Sequence, residues 1–183
     1  MEWIQSPTGT VNLPDDVHCK TRDIFTARLD NLRSQLNHKS AGNSLVIALC
    51  GEIGNNSFDH NTQGWRDVPG VLFSPNIAKR QIVLADRGQG IFKTISRVKP
   101  SVQNDRDALH VAFTEVISGR SPERRGNGLK FVRTTVSDTG MALVFQSGDA
   151  VCTIHHGKVE FAQAPDRING CLAILNYQGM DKT

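Results

Sequence analysis

The sequence has little of what staples, anchors or targets a chain. Its four cysteines, Cys19, Cys50, Cys152 and Cys171, are far apart. No pair stands at metal-ligand or redox spacing, and no disulfide framework is implied. Cys50 and Cys152 lie in apolar runs and read as buried thiols. The N-terminus shows no basic segment followed by an apolar core, so no signal peptide is visible. The longest apolar run falls far short of the roughly 20 residues that a membrane-spanning helix needs. A reducing cytoplasm is the expected compartment, with no membrane contact. No basic run of the kind that marks a nucleic-acid tail is present, and direct nucleic-acid binding is not expected. There is no internal repeat and no low-complexity tract.

What is present is ordinary for a soluble globular protein: 183 residues, 38% hydrophobic, 21% charged, net charge +3. That length fits one domain, which can bury a core without staples. The mild positive charge suits an anionic ligand without demanding one.

Along the chain, residues 1–20 hold Pro7 and Pro14 and few apolar side chains. Glu2–Gln5 and Gly9–Leu13 read as short strands of a loosely attached N-terminal edge segment, with the main domain over 21–183. Thr21 or Asp23 can cap a helix running to about His38, striped by Ile24, Phe25, Ala27, Leu29, Leu32 and Leu36. Asn43 or Ser44 can cap a second helix reaching Asn61. Asn61–Gly70 is a loop, Val71–Phe73 a short strand, Pro75-Asn76 a turn, and Arg80–Asp86 a continuous apolar strand ending at an acid. Helices follow at 91–98, from Asp105 or Asp107 to Ile117, and at 129–138. Strands at 141–146, 150–155, 159–162 and 170–177 complete the pattern. Helices first and a mostly antiparallel sheet second predict an α/β two-layer sandwich, with helices packed on one face of the sheet.

Three stretches carry chemistry. At roughly 100° per residue, Glu52, Asn55, Asn56, Asp59 and His60 share one arc of the second helix, and Val46, Leu49, Cys50, Ile53 and Ser57 share another. Read alone, the polar arc is equally a solvated face. Asp86-Arg87-Gly88-Gln89-Gly90 puts a carboxylate at the end of an apolar strand, beside a glycine turn. Such a carboxylate can accept a hydrogen bond from an exocyclic amine, and Gly88 and Gly90 let backbone pass close to a ligand. Gly126-Asn127-Gly128-Leu129 starts a helix, where free amides and the helix dipole favour phosphate. Arg120, Arg124 and Arg125 precede it, as a phosphate contact or as a solvated basic loop.

In this order the three stretches resemble the motifs of the GHKL superfamily, the ATP-binding domain of gyrase, ninety-kilodalton heat-shock chaperones, histidine kinases and MutL. Glu52-x-x-x-Asn56-x-x-x-His60 resembles its N box, Asp86-x-Gly88-x-Gly90 its first glycine box and Gly126-x-Gly128-Leu129 its second. The resemblance spans roughly 22–178 and implies a left-handed α/β sandwich, the Bergerat fold, binding ATP and Mg²⁺ beneath a lid at 92–125. It implies that Asp86 receives the adenine amino group and that Asn56 holds the metal. Glu52 is then the base, and Gly88, Gly90, Arg125, Gly126, Gly128 and Leu129 surround the nucleotide. His60 either lines the phosphate pocket or packs and caps its helix. Lys130 either reaches a phosphate or lies on the surface.

The segment before the N-box helix is too short for the dimerisation and phosphoacceptor domain of ordinary sensor histidine kinases. No transducer domain follows. The layout is most similar to anti-sigma-factor-type serine/threonine kinases, which phosphorylate a separate partner protein. The alternatives are a GHKL-type ATPase, with ATP-dependent homodimerisation as its switch, or a nucleotide sensor without chemistry.

Overall fold

The computed structural model describes residues 2–7, 12–36, 41–61, 64–116 and 127–178. Six helices and seven strands are present among them: α1 (Glu2–Gln5), β1 (His18–Cys19), α2 (Arg22–Gln35), α3 (Ala41–Asn61), β2 (Val71–Asn76), β3 (Gln81–Asp86), α4 (Gly90–Val98), α5 (Asp105–Thr114), α6 (Gly128–Asp138), β4 (Ala142–Ser147), β5 (Ala150–His155), β6 (Lys158–Gln163) and β7 (Cys171–Asn176). The strands form one sheet in the order β1-β2-β3-β7-β4-β5-β6, with every pairing antiparallel. The last strand is therefore inserted between β3 and β4, and its first residue, Cys171, pairs with Asp86.

The period-2 alternation of the strands sorts their side chains between two faces. Ile82 and Leu84 of β3, Phe145 of β4 and Ala173 and Leu175 of β7 join the main core with Phe25, Leu29 and Leu32 of α2 and Val46, Leu49, Cys50 and Ile53 of α3. Asp86 has the parity of Ile82 and Leu84, so it points to the helix side. Val83, Ala85, Leu172 and Ile174 face the other way. There they form a second, smaller core with Trp3 and Ile4 of α1 and Ile168. α4 and α5 pack on each other through Ile91, Phe92, Ile95, Val102, Ala108 and Val111.

Several local expectations change. Glu2–Gln5 is a helical turn, not a strand, and Trp3 and Ile4 are buried against the sheet. What holds them is Arg87, which is fully buried and carries a paired charge. Its Nε and Nη2 donate to the two oxygens of Asp67 at 2.9 and 2.6 Å. Its Nη1 donates to the carbonyls of Trp3 and Ser6 and to Ser6 Oγ. A guanidinium presents five donors in a planar fork, which is how one side chain ties three segments together.

Pro75 and Asn76 continue β2, and the turn falls at 77–80, where Arg80 has φ 47°. β1 pairs only with Leu72 and Val71, so the outer edge of β2 is open at Pro75, where a missing N–H costs no ladder bond. α3 begins at Ala41, upstream of the expected cap, and Asn43 donates to the Leu36 carbonyl instead. Thr21 caps α2, as one of the two expected choices. α5 is capped by Asn104, whose side chain accepts from Asp107 N at 2.8 Å, and it stops at Thr114. Of the expected strand at Gly9–Leu13, Asn12 and Leu13 are irregular and the rest lies outside the described residues, as does the basic loop with Arg120, Arg124, Arg125 and Gly126.

Candidate functional site

α3 is the longest helix described, and its two arcs separate as the sequence predicts. Val46, Leu49, Cys50, Ile53 and Ser57 are buried, while Glu52 and His60 are exposed and Asn56 is half-buried. The C-terminal half of the polar arc looks across a cleft at the end of β3. Ile53, Leu84, Ala85, Ile91, Leu129, Phe145 and Ala173 form its apolar walls. Asn56, Ser57, His60, Asn61, Asp86, Gly90, Thr94 and Cys171 complete the lining, and the enclosed space is about 50 Å³, opening to solvent at its mouth. Apolar walls with a few convergent polar groups are the usual build of a small-molecule site.

Asp86 is the chemical centre of this cleft, with only 2% of its surface exposed. Its Oδ2 accepts from Ser57 Oγ at 2.7 Å and its Oδ1 from Gly88 N at 2.8 Å. Asn61 Nδ2 lies 3.4 Å from Oδ1. Burial pushes the Asp86 carboxyl above its ordinary value; the donors at Ser57, Gly88, Cys171 and Asn61 pull the other way. Among the described residues, no cationic side chain pairs with it. Arg87 points to the opposite face, toward Asp67.

The N-terminus of α6 meets α3 beside the cleft. A β-carbon at Gly128 would fall 2.5 Å from Glu52 Oε2 and 3.4 Å from Asn56 Nδ2. The amides that open α6 therefore sit against the acid and the amide of the N-box face. Donors and dipole together make that junction suited to an anion. Lys130, one turn into α6, donates to the Glu115 carbonyl at the far end of the segment between the glycine turns.

Of the residues singled out in the sequence, Asn56, His60, Asp86, Gly90 and Leu129 line the cleft. Gly88 lies behind it, packed on Asn61, and Glu52 and Gly128 touch at its side. Arg125 and Gly126 lie outside the described residues. Gly90 has φ 75°, a left-handed conformation that favours glycine. Asp59 pairs with Arg22 at the surface.

Two site residues escaped the sequence reading. Ser57 was placed with the packing arc and Asn61 with the following loop, yet both face Asp86. The signal was their polarity: two hydrogen-bonding side chains at i and i+4 on a buried arc require partners.

The cleft thus offers apolar walls on both sides of one buried carboxylate. Among the described residues, no cluster of three or more His, Cys, Asp or Glu is arranged to hold a metal ion. Mg²⁺ does not need one, since it commonly binds through one or two protein oxygens, waters and substrate phosphates. Asn56 Oδ1, at the cleft, could supply one such oxygen. No helix among the described residues is long and apolar enough to cross a membrane.

No protein-family model matches the sequence, and no curated protein sequence matches it. Among solved structures, the chain is similar to the 43K ATPase domain of Thermus thermophilus gyrase B, solved in complex with an aminocoumarin. That match has 18% identity and a TM-score of 0.45, covering 82% of this chain and 39% of the other. It is also similar to the ATPase region of Saccharomyces cerevisiae topoisomerase II, at 13% identity and a TM-score of 0.46, covering 75% and 39%. The chain spans about two fifths of the length of these structures. Its own architecture, an antiparallel sheet with the longer helices on one face and only the short α1 on the other, agrees with the fold class expected from the sequence.

Proposed function

We propose that this chain binds ATP with Mg²⁺ in the cleft between α3, β3 and α6, and transfers the γ-phosphoryl group to a hydroxyl of a partner protein. One observation carries the reading. Three segments distant in sequence, at 52–60, 86–90 and 128–129, converge on a cleft whose polar centre is a buried carboxylate with no cationic partner among the described residues.

In this reading Asp86 accepts from the exocyclic amine of adenine. A base that presents a carbonyl in place of that amine sets an acceptor against the carboxylate, a strong penalty in a buried site. The walls from Ile53 to Ala173 enclose the ring. The amides opening α6 receive phosphate oxygens, and Arg125 and Gly126, which precede it in sequence, are assigned to the same phosphates. Asn56 supplies one oxygen to Mg²⁺, which when bound neutralises charge on the phosphates. His60 faces the same end of the cleft. Glu52 is exposed, one turn before Asn56, and is placed to accept the proton of an attacking hydroxyl. The lid is assigned within 92–125, with α5 as its fixed base, since Leu109 and Phe113 are buried in the main core.

The exposure of Glu52 leaves it open to water as well as to a partner's hydroxyl, so the second reading is ATP hydrolysis driving a switch. ATP labelled on its γ-phosphate, incubated with the protein and cell lysate, separates the two. Label on a protein supports transfer, free phosphate alone supports hydrolysis, and ATP binding with neither product overturns both.

A further inference from the structure

Asn61 ends α3 and makes contacts for which the nucleotide reading has no use. It is 3% exposed. Its Nδ2 donates to the Ser57 carbonyl at 2.9 Å, one turn back, and faces Asp86 Oδ1 at 3.4 Å. Its Oδ1 accepts from Gln89 N at 2.9 Å. The glycine turn lies directly on this side chain, because a β-carbon at Gly88 would fall 2.1 Å from Asn61 Nδ2. A second stitch runs alongside, from the Gln89 side-chain amide to the His60 carbonyl.

One amide thus bridges the helix that carries Glu52 and Asn56 and the turn that carries Asp86. Among the described residues Asp86 has no paired cation, so its donors orient it. Ser57 holds Oδ2 and Gly88 holds Oδ1, the Cys171 amide is a further donor, and Asn61 adds a longer contact to Oδ1 from the end of α3. Asn61 is small and rigid enough to transmit the position of α3 to the turn, and its amide oxygen and nitrogen are both committed.

We propose that Asn61 is a positioning residue for base recognition, orienting the Asp86 carboxylate and keeping it in register with the polar face of α3. This rests on the nucleotide reading above. The role differs from packing alone, because it acts on the choice between bases and not only on stability.

The test is equilibrium binding of Mg–ATP and Mg–GTP to the full chain, wild type, Asn61→Ala and Asn61→Leu, with melting recorded for each. Asn61→Leu keeps about the volume and removes the amide without setting a second charge against Asp86. Wild type is expected to prefer ATP. Both variants are expected to lose about tenfold in ATP affinity, the order of one hydrogen bond to a charged group, with the ATP-to-GTP ratio falling toward one. An unchanged ratio in folded Asn61→Ala and Asn61→Leu, equal loss of both nucleotides, or a wild type without preference would overturn the proposal. Absence of any nucleotide binding by wild type would instead overturn the reading on which it rests.

Discussion

Gly128 opens α6 so close to Glu52 that a β-carbon on it would lie 2.5 Å from Glu52 Oε2. The second glycine turn and the N-box acid are therefore one packed unit. Gly128→Ala forces the Glu52 carboxylate aside. Displacing a reacting group by about 1 Å can cost on the order of a hundredfold in rate. The expected outcome is ATP turnover reduced by about ten- to a hundredfold with the fold intact, measured by phosphate release or transfer beside a melting curve.

Removing the acid itself separates binding from chemistry. Glu52 is exposed, so Glu52→Ala should change stability by no more than about 0.5 kcal/mol. General-base catalysis contributes about 10²- to 10⁴-fold, and turnover should fall by that order while ATP affinity stays near wild type. Full activity in this variant would deny Glu52 the role of base.

Asp86 makes stability depend on pH in a defined direction. Burial raises its folded-state pKa above the 3.8 of an ordinary aspartate. Between those values the folded state holds a proton that the unfolded state has lost, so stability falls as pH rises through that window. Asp86→Asn has no proton to lose. Its melting temperature should match wild type most closely near pH 4 and gain on wild type as pH rises toward neutrality. A gap that closes with rising pH would show the opposite sign.

Arg87 locks the rear face. Its side chain is 1% exposed and that of its partner Asp67 is 7% exposed. Breaking a buried pair from one side leaves an uncompensated charge, at a cost of about 3–5 kcal/mol. Arg87→Ala should therefore lower the unfolding free energy, measured by denaturant titration, by that amount and expose Trp3, read as a shift in tryptophan fluorescence.

Much of this was legible in the sequence where periodicity decides structure. The arcs of α3, the apolar run of β3 and the hairpins of β4 to β6 follow from spacing of 3.6 and 2 residues. The ordered motifs located the cleft because each sits where a helix or strand ends. The N-terminal segment was not legible. Trp3 and Ile4 are too few to signal a core, and their cover depends on a buried arginine, a residue type that sequence reasoning places in solvent. Asn61 was missed for a related reason: an asparagine at a helix end looks like a terminator, and its function depends on a turn 28 residues away. Pro75 looked like a turn because the open edge of β2 is a tertiary property.

The central claim is that the buried Asp86 carboxylate holds the base of ATP. Calorimetric titration of Mg–ATP into wild type and Asp86→Asn, both shown folded by melting, tests it most directly. The account predicts saturable binding to wild type and none measurable to Asp86→Asn. Equal binding to the two proteins, or no binding to wild type, would contradict it.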